Sequence, residues 1–380
     1  MNFADLFCGA GGKSIGFEQA GFFPILAIDN DRYALETYAN NRKDYKELKI
    51  INDNISDLSY DSKKIIKNLL NSVIIDLIIG GPPCQGFSNV NKQKILNDPR
   101  NKLYKKFIDF VNLIRPKIFV MENVSGIKKL KNEIIRDFLS IDYNSIFTIL
   151  NSSDFGVPQN RYRAFFIGLR SDLNFDLKDI LNNIEKLKVK KKFTLNETIG
   201  DLPVLKARRI KNSYDSEDEE TGYDSIFYKY KNNTFRNMIN FNEKCNFLYN
   251  HKTRYNNSRD IKIFELLPQG KDSLHDSIKH IMPYKNREHI FRDKYYKLSY
   301  NNVSRTITAH MQYDCNMYIH PTQARGLTPR EAARIQTFPD NYIFKGPFTS
   351  WYRQIGNAVP CRLAYIIAKS IKDSGVFDGK

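Results

Sequence analysis

Short apolar runs alternate with helical patterns through roughly the first half of the chain, and that alternation predicts an α/β sheet. "NFADLF" runs into a glycine turn, "FPILAI" ends at Asp29, "VIIDLII" ends at Gly80 and Gly81, and "PKIFVM" ends at Glu122. Polar or glycine-rich residues follow each run, and in such sheets chemistry collects at the carboxyl ends of strands. Between the runs, "DRYALETYANN" and "LYKKFIDFVNLI" have helical character. The second places apolar residues at 103, 107, 110, 111 and 114, the spacing of one helix face.

After about residue 185 the texture changes to sequence rich in Lys, Asn, Asp and Tyr with few periodic elements. A basic cluster, "KARRIK", is followed by an acidic one, "SEDEE". The acidic run predicts a solvated loop and is a poor place for a polyanion, which it would repel. Patterning returns with "RTITAH" and "LTPREAARIQTF". In the latter, Thr328 is an N-cap, Pro329 takes the first helical position and Glu331 completes a capping box. The segment "GNAVPCRLAYIIAKSI" reads as a turn and one more helix, and there are no internal repeats.

A chain of 380 residues can bury a large core and suggests more than one domain. Its cysteines, at 8, 84, 245, 315 and 361, form no CxxC pair, so the chain is expected to work reduced in a cytosol, without a cysteine-bound zinc or another metal. The amino end lacks a basic region and a long apolar segment, and neither a signal peptide nor a membrane span is expected. A net charge of +17 and a pI near 9.4 point to a polyanionic partner. The alternative source of that charge is a composition rich in Lys, Asn and Ile everywhere.

The glycine turn "DLFCGAGGKSIGF" invites nucleotide readings. A P-loop needs glycine five residues before its Gly-Lys-Ser step, where Phe7 stands, and fails. A dinucleotide fingerprint needs a third glycine where Ser14 stands. What remains is a strand, a tight turn from Gly9 to Gly12 that lets a small ligand approach the backbone, and Asp29 at the next strand end, able to accept both hydroxyls of a ribose. The same turn would also serve close strand-helix packing without a ligand.

In "IIDLIIGGPPCQGFSNV" the strand delivers the chain to Gly80 and Gly81, and Pro82 and Pro83 then fix φ and remove two backbone donors. Cys84 is thereby presented from a stiff loop. Its thiolate would be the reactive form, favoured by nearby positive charge. A cysteine seen alone is more often a small buried hydrophobe.

Cys84 is not alone. "GGPPCQGFS", "FVMENV", "GVPQNRYR" and "RQIGNAVP" resemble, in order and spacing, the motifs of the C5-cytosine DNA methyltransferases. The resemblance covers almost the whole chain except about residues 205–300. It implies transfer of a methyl group from S-adenosylmethionine to C5 of a cytosine flipped out of double-stranded DNA. Cys84 resembles the nucleophile that adds to C6, and Glu122 the carboxyl that engages N3 and the 4-amino group. Arg161 and Arg163 alternate along "QNRYRAFF", so a strand would direct both to one face; by resemblance Arg163 holds the base and Arg161 supports the site. Gln85, Ser88 and Gln159 resemble DNA-contacting residues.

For the cofactor, the resemblance implies Phe7, Gly9 and Gly11 along the methionine and adenine, Asp29 at the ribose, Pro83 and Leu103 flanking, and Asn357 with Ala358 from the carboxyl end. Asn30 stands where the family often has an aromatic residue. Asn54-Ile55 replaces the usual Asp-Ile pair, with Asp53 one place early. The implied fold is a Rossmann-like class I methyltransferase sheet with helices on both faces plus a smaller target-recognition domain. The catalytic domain would take residues 1–188 and 351–380, and the target-recognition domain 189–350, with its variable part at 205–300. The implied setting is a cytoplasmic bacterial monomer whose partner endonuclease acts separately. Two alternatives stay open, the same chemistry on transfer RNA and a non-enzymatic DNA-binding regulator.

Overall fold

Strands β1 (Asn2–Leu6), β2 (Phe23–Asp29), β3 (Lys49–Asn52), β4 (Leu77–Gly80), β5 (Ile118–Val124), β6 (Tyr143–Asn151) and β7 (Tyr162–Arg170) make one sheet in the order β3-β2-β1-β4-β5-β7-β6. They belong to a computed structural model whose described residues are 1–83, 103–231, 233–283 and 294–378. The first five strands are parallel, and β7 runs antiparallel between β5 and β6. From β1 the chain builds outward through β2 and β3, then crosses to β4 on the other side. This reversal opens a crevice at the carboxyl ends of β1 and β4, where open α/β sheets bind ligands.

Alternation along β1 divides the core. Ala4 and Leu6 join a cluster with Ile66 and Leu69 of α3 (Tyr60–Leu70), Phe107 and Val111 of α4 (Leu103–Ile114) and Ile134 and Phe138 of α5 (Lys131–Leu139). Phe3 points the other way, its ring 6.0 Å from that of Phe17 in α1 (Gly12–Gln19). On that side Leu35 and Tyr38 of α2 (Arg32–Asn40) pack with Ala27 of β2. There α1 meets α12 (Cys361–Lys372), which also meets α6 (Leu177–Lys186). Contact at Gly16 is so close that a Cβ there would run into the backbone of Ala364 and Tyr365. Helices thus cover both faces, as expected.

Local chemistry explains the boundaries. Asp31 caps α2 by accepting from the N–H groups of Tyr33 and Ala34. In α4 the buried side chains are Tyr104, Phe107, Ile108, Phe110 and Val111, which is the apolar stripe of the sequence. The run "VIIDLII" enters the sheet only at Leu77: Asp76 instead accepts the Asn2 N–H at 2.9 Å, and Ile74 is exposed.

The chain divides into two compact units, one of residues 1–155, 161–190 and 359–380 and the other of 156–160 and 191–358. Residues 351–358, expected with the sheet, fall in the second unit because α11 (Phe348–Asn357) packs on a 3-10 turn at Ala309–Gln312. The second unit also holds α7 (Leu195–Ile199), a hairpin of β8 (Gly222–Phe227) and β9 (Phe247–Lys252), α8 (Thr234–Ile239), α9 (Ser258–Leu266) and α10 (Pro329–Ile335). The expected capping box is present: Thr328 Oγ1 accepts from Glu331 N–H, and Glu331 accepts from Thr328 N–H.

Much of this unit's interior is polar. Arg334 pairs with Asp340 at 2.8 Å and with Asp201, Arg236 reaches the same Asp340, and Arg325 donates to both oxygens of Glu331. Arg330 spends its guanidinium on the carbonyls of Tyr249, Pro339 and Tyr342. Such buried charges persist only when paired in this way.

Candidate active site

At the end of β1 the backbone turns left-handed three times, at Phe7 (φ 56°), Gly9 (φ 54°) and Gly11 (φ 80°). A Cβ on Gly11 would strike Arg42 and Tyr38, whereas one on Gly9 would have no atom of the described residues within 4 Å. Gly11 therefore serves packing, and Gly9 meets none of the described residues. Asp29, at the end of β2, ties the turn down: one carboxylate oxygen accepts Gly9 N–H at 2.8 Å and the other Asp31 N–H at 2.8 Å. Burial pushes its carboxyl up, and these two donors work against that. Each oxygen retains acceptor capacity for a diol.

The ends of β4 and β5 lie alongside. Asn123 is buried and donates from Nδ2 to the Pro82 carbonyl at 2.9 Å, while its Oδ1 accepts Val124 N–H at 2.8 Å. This clamp fixes the turn that leads into position 84. Glu122 sits opposite Phe165 of β7, which places Arg163 diagonally across on the same face. Arg163 Nε meets Glu122 Oε1 at 2.9 Å, both side chains largely shielded. Burial pulls the Arg163 pKa down and the Glu122 carboxylate opposes it; a guanidinium stays protonated regardless.

Lys13, in the first turn of α1, was not among the expected site residues. Its Nζ donates to the Phe7 carbonyl at 3.1 Å and lies 3.5 Å from Asp5 Oδ1. A lysine directly after two glycines at a strand end was the available signal. Asn123 was missed too, although it adjoins Glu122 within "MENV".

The other expected residues divide. Asn30 and Asn54 are exposed beyond β2 and β3, and Ile55 is buried in the core. Asp53 is committed elsewhere, accepting from Ser59 N–H at 2.8 Å and from the Ser62 hydroxyl at 2.6 Å. Those hydrogen bonds hold its carboxyl well below the usual range. Pro83 is exposed, and Leu103 opens α4 half-buried.

Arg161 does not share a strand face with Arg163: β7 begins at Tyr162, and Arg161 is buried, with its carbonyl accepting from Ser152 N–H at 2.9 Å. Gln159 is buried in the second unit and fully engaged. It donates to Ile335 O and Gln336 Oε1 and accepts Ile307 N–H. Its amide fastens the segments at Ile307 and Ile335 together. Asn357 is exposed at the end of α11, and the Ala358 carbonyl accepts from Gln336. Cys84, Gln85 and Ser88 lie outside the described residues.

The described cysteines are unsuited to nucleophilic work. Burial pushes the thiols of Cys8, Cys245, Cys315 and Cys361 up, away from thiolate. Among the described residues no group of His, Cys, Asp or Glu could hold a metal ion, and no helix is long and apolar enough to cross a membrane.

A glycine turn, an anchored acid and a carboxylate-guanidinium pair at one sheet edge suit a small cofactor and a planar, hydrogen-bonding substrate. The model of the C-5 cytosine-specific DNA methylases matches residues 1–373. The chain belongs to this family. It is 36% identical over 394 residues to the type II methyltransferase M.DdeI of Desulfomicrobium norvegicum, covering 98% of this chain and 88% of that one. It is 30% identical to the type II methyltransferase M1.HphI of Haemophilus parahaemolyticus, over 98% and 86% of the two chains. Among solved structures it resembles a DNA modification methyltransferase encoded within a prophage (E. coli), at 26% identity and a TM-score of 0.74 over the whole of both chains. This DNA cytosine-5 methyltransferase therefore has the sheet of the class I methyltransferases and the covalent mechanism of its family.

Proposed function

We propose that this methyltransferase takes S-adenosylmethionine as methyl donor at the carboxyl edge of β1, β2 and β4 and a flipped cytosine beside β5 and β7. The carrying observation is the Glu122–Arg163 pair at that edge. Among the described residues nothing lies within 4 Å of a Cβ at Gly9, which supports a cofactor there. Asp29 accepts the ribose hydroxyls; Phe7, Gly9, Gly11, Asn30, Asn54, Ile55, Pro83 and Leu103 border the ligand. Asn357 and Ala358 complete the set on resemblance to the family. When bound, the cofactor supplies an electrophilic methyl group.

The chain's own residues prepare the base. The Cys84 thiolate adds to C6, which makes C5 electron-rich. Glu122 holds the proton at N3 and accepts from the 4-amino group, while Arg163 orients the carboxylate and the base edge. Arg161 supports the strand entry from behind. Gln85 and Ser88 follow the DNA and exclude water from the activated base. The first unit carries this chemistry, and the second, through residues about 205–300, selects the sequence in double-stranded DNA by groove contacts. The enzyme acts as a cytoplasmic monomer, and a separate endonuclease cleaves the same sequence when it is unmethylated. The type II methyltransferases among its relatives support this setting.

Tritiated methyl transfer from S-adenosylmethionine to unmethylated DNA tests the reading, with Cys84→Ala and a transfer RNA control. Label at C5 of cytosine, lost in Cys84→Ala, is the expected result. Label in the transfer RNA alone would move the substrate to RNA. Tight DNA binding with no label in either substrate would leave a regulator on an enzyme scaffold.

A further inference from the structure

Lys13 is the part of the "GGKS" turn that neither the cofactor set nor the base-holding pair uses. Its side chain is only 11% exposed, and its ammonium bonds the Phe7 carbonyl and approaches Asp5, which is itself fully buried and hydrogen-bonded to Ser14 at 2.7 Å. The position of Gly81 reveals a third neighbour. A Cβ there would lie 3.0 Å from Glu122 Oε2 and 3.4 Å from Lys13 Nζ. The ammonium and the carboxylate thus face the same small space beside Gly81, farther apart than an ion pair. Arg163 holds the other oxygen, Oε1, so two cations flank Glu122. Burial acts against the charge on Lys13, but Asp5 and then Glu122 outweigh it and keep the ammonium protonated.

We propose that Lys13 is a positioning residue for the methylation reaction, acting through Glu122 to favour the proton on cytosine N3. The inference rests on the base-holding reading of Glu122. As the thiolate sulfur bonds to C6, the C5=C6 π pair moves to C4–C5 and the C4=N3 π pair moves onto N3, which takes the proton that Glu122 has picked up from solvent as the base binds. The negative charge that began on sulfur ends on the Glu122 carboxylate. A fixed cation beside Oε2 stabilises the charge where it arrives. It also links the cofactor turn, through the Phe7 carbonyl, to the base-holding strand. The competing account is that Lys13 only neutralises buried Asp5.

Exchange of tritium from C5 of cytosine in duplex DNA, with S-adenosylhomocysteine present, reports the addition step without methyl transfer. Removing Lys13 alone leaves Asp5 unpaired and risks the fold, so Lys13→Met is compared with Lys13→Met/Asp5→Asn, which removes both charges and keeps an acceptor for Ser14. The expected result is exchange slowed about tenfold or more in the double variant, with melting temperature and the Kd for S-adenosylhomocysteine near wild type. Lys13→Arg, which keeps the charge, restores part of the rate. Wild-type exchange in the double variant overturns the proposal and leaves Lys13 as the counter-ion of Asp5. Equal loss of exchange and of S-adenosylhomocysteine binding overturns it in favour of cofactor holding. Glu122→Gln runs alongside: undiminished exchange in that variant would strike the Glu122 reading itself, a failure distinct from that of Lys13.

Discussion

Glu122 on β5 and Arg163 on β7 meet at 2.9 Å across antiparallel strands, one diagonal step from direct opposition. The register thus builds the pair proposed to hold the base into the sheet rather than into a loop, and a pair on rigid strands keeps its aim. Glu122→Gln preserves shape and removes the carboxylate. We expect kcat for methyl transfer to fall roughly 10²- to 10³-fold, with a melting temperature only a few degrees lower. Steady-state kinetics and a thermal melt on one preparation check both.

Asn123 is buried and grips the Pro82 carbonyl. Asn123→Ala frees the turn that leads to position 84 and costs about 1–3 kcal/mol of stability through the unpaired carbonyl. Because the nucleophile's approach depends on that turn, kcat should fall about tenfold or more while the Kd for S-adenosylhomocysteine stays near wild type. Titration calorimetry beside turnover assays separates the two.

Gly9 and Gly11 both have positive φ and differ in what lies beyond them. Alanine at either position strains the backbone by about 1 kcal/mol. Gly9→Ala projects a methyl into the space proposed for the cofactor, so KM for S-adenosylmethionine should rise severalfold with the fold intact. Gly11→Ala forces a methyl against Arg42 and Tyr38, and its main effect should be a lowered melting temperature. The contrast is read from a cofactor titration and a thermal melt of each.

Acid should loosen the second unit. His251 accepts from the Thr328 hydroxyl and donates to the Pro203 carbonyl, and burial lowers its pKa to about 4. His320 accepts from the N–H groups of Thr322 and Gln323, and burial lowers its pKa to about 3. In the unfolded chain both protonate near pH 6.5, so the unfolded state binds more protons as pH falls from about 6.5 toward 4. Stability is therefore present above pH 6.5 and lost below it, with a limiting slope of about 2.7 kcal/mol per pH unit for two protons. Arg325 holds Glu331, despite its burial, well below the ordinary carboxylate range, which adds loss in the same direction below about pH 4.5. Denaturant melts at pH 7, 6 and 5 should show the slope, and His251→Gln should roughly halve it.

The ends of β2 and β4 were legible because apolar runs stop where glycine, proline or an acid begins, and Asp29 and Gly81 sit at those stops, whereas β5 runs on past Glu122 to Val124. The capping box at Thr328 and Glu331 was legible for a similar reason, since its chemistry is local. The second unit was not. Arg325, Arg330 and Arg334 are fully buried there, and a hydropathy pattern reads them as surface. Their partners, such as Asp201 and the Tyr249 carbonyl, lie far away in sequence. Within "KARRIK", Arg208 is spent on the backbone of Ser213, Ser216 and Thr253 and is not a free groove contact. The internal bonds of Gln159 were hidden for the same reason, because an amide's partners cannot be read from its neighbours in the chain.

The packing of α12 on α1 governs the order of events during synthesis. Helix α1 leaves the ribosome within the first 19 residues, yet the surface that covers Gly16 and the Lys372 ammonium that bonds the Ala20 carbonyl arrive only with residues 361–372. Until then the nascent sheet has one face incompletely covered. A polypeptide released early would therefore carry every strand of the sheet and still be aggregation-prone.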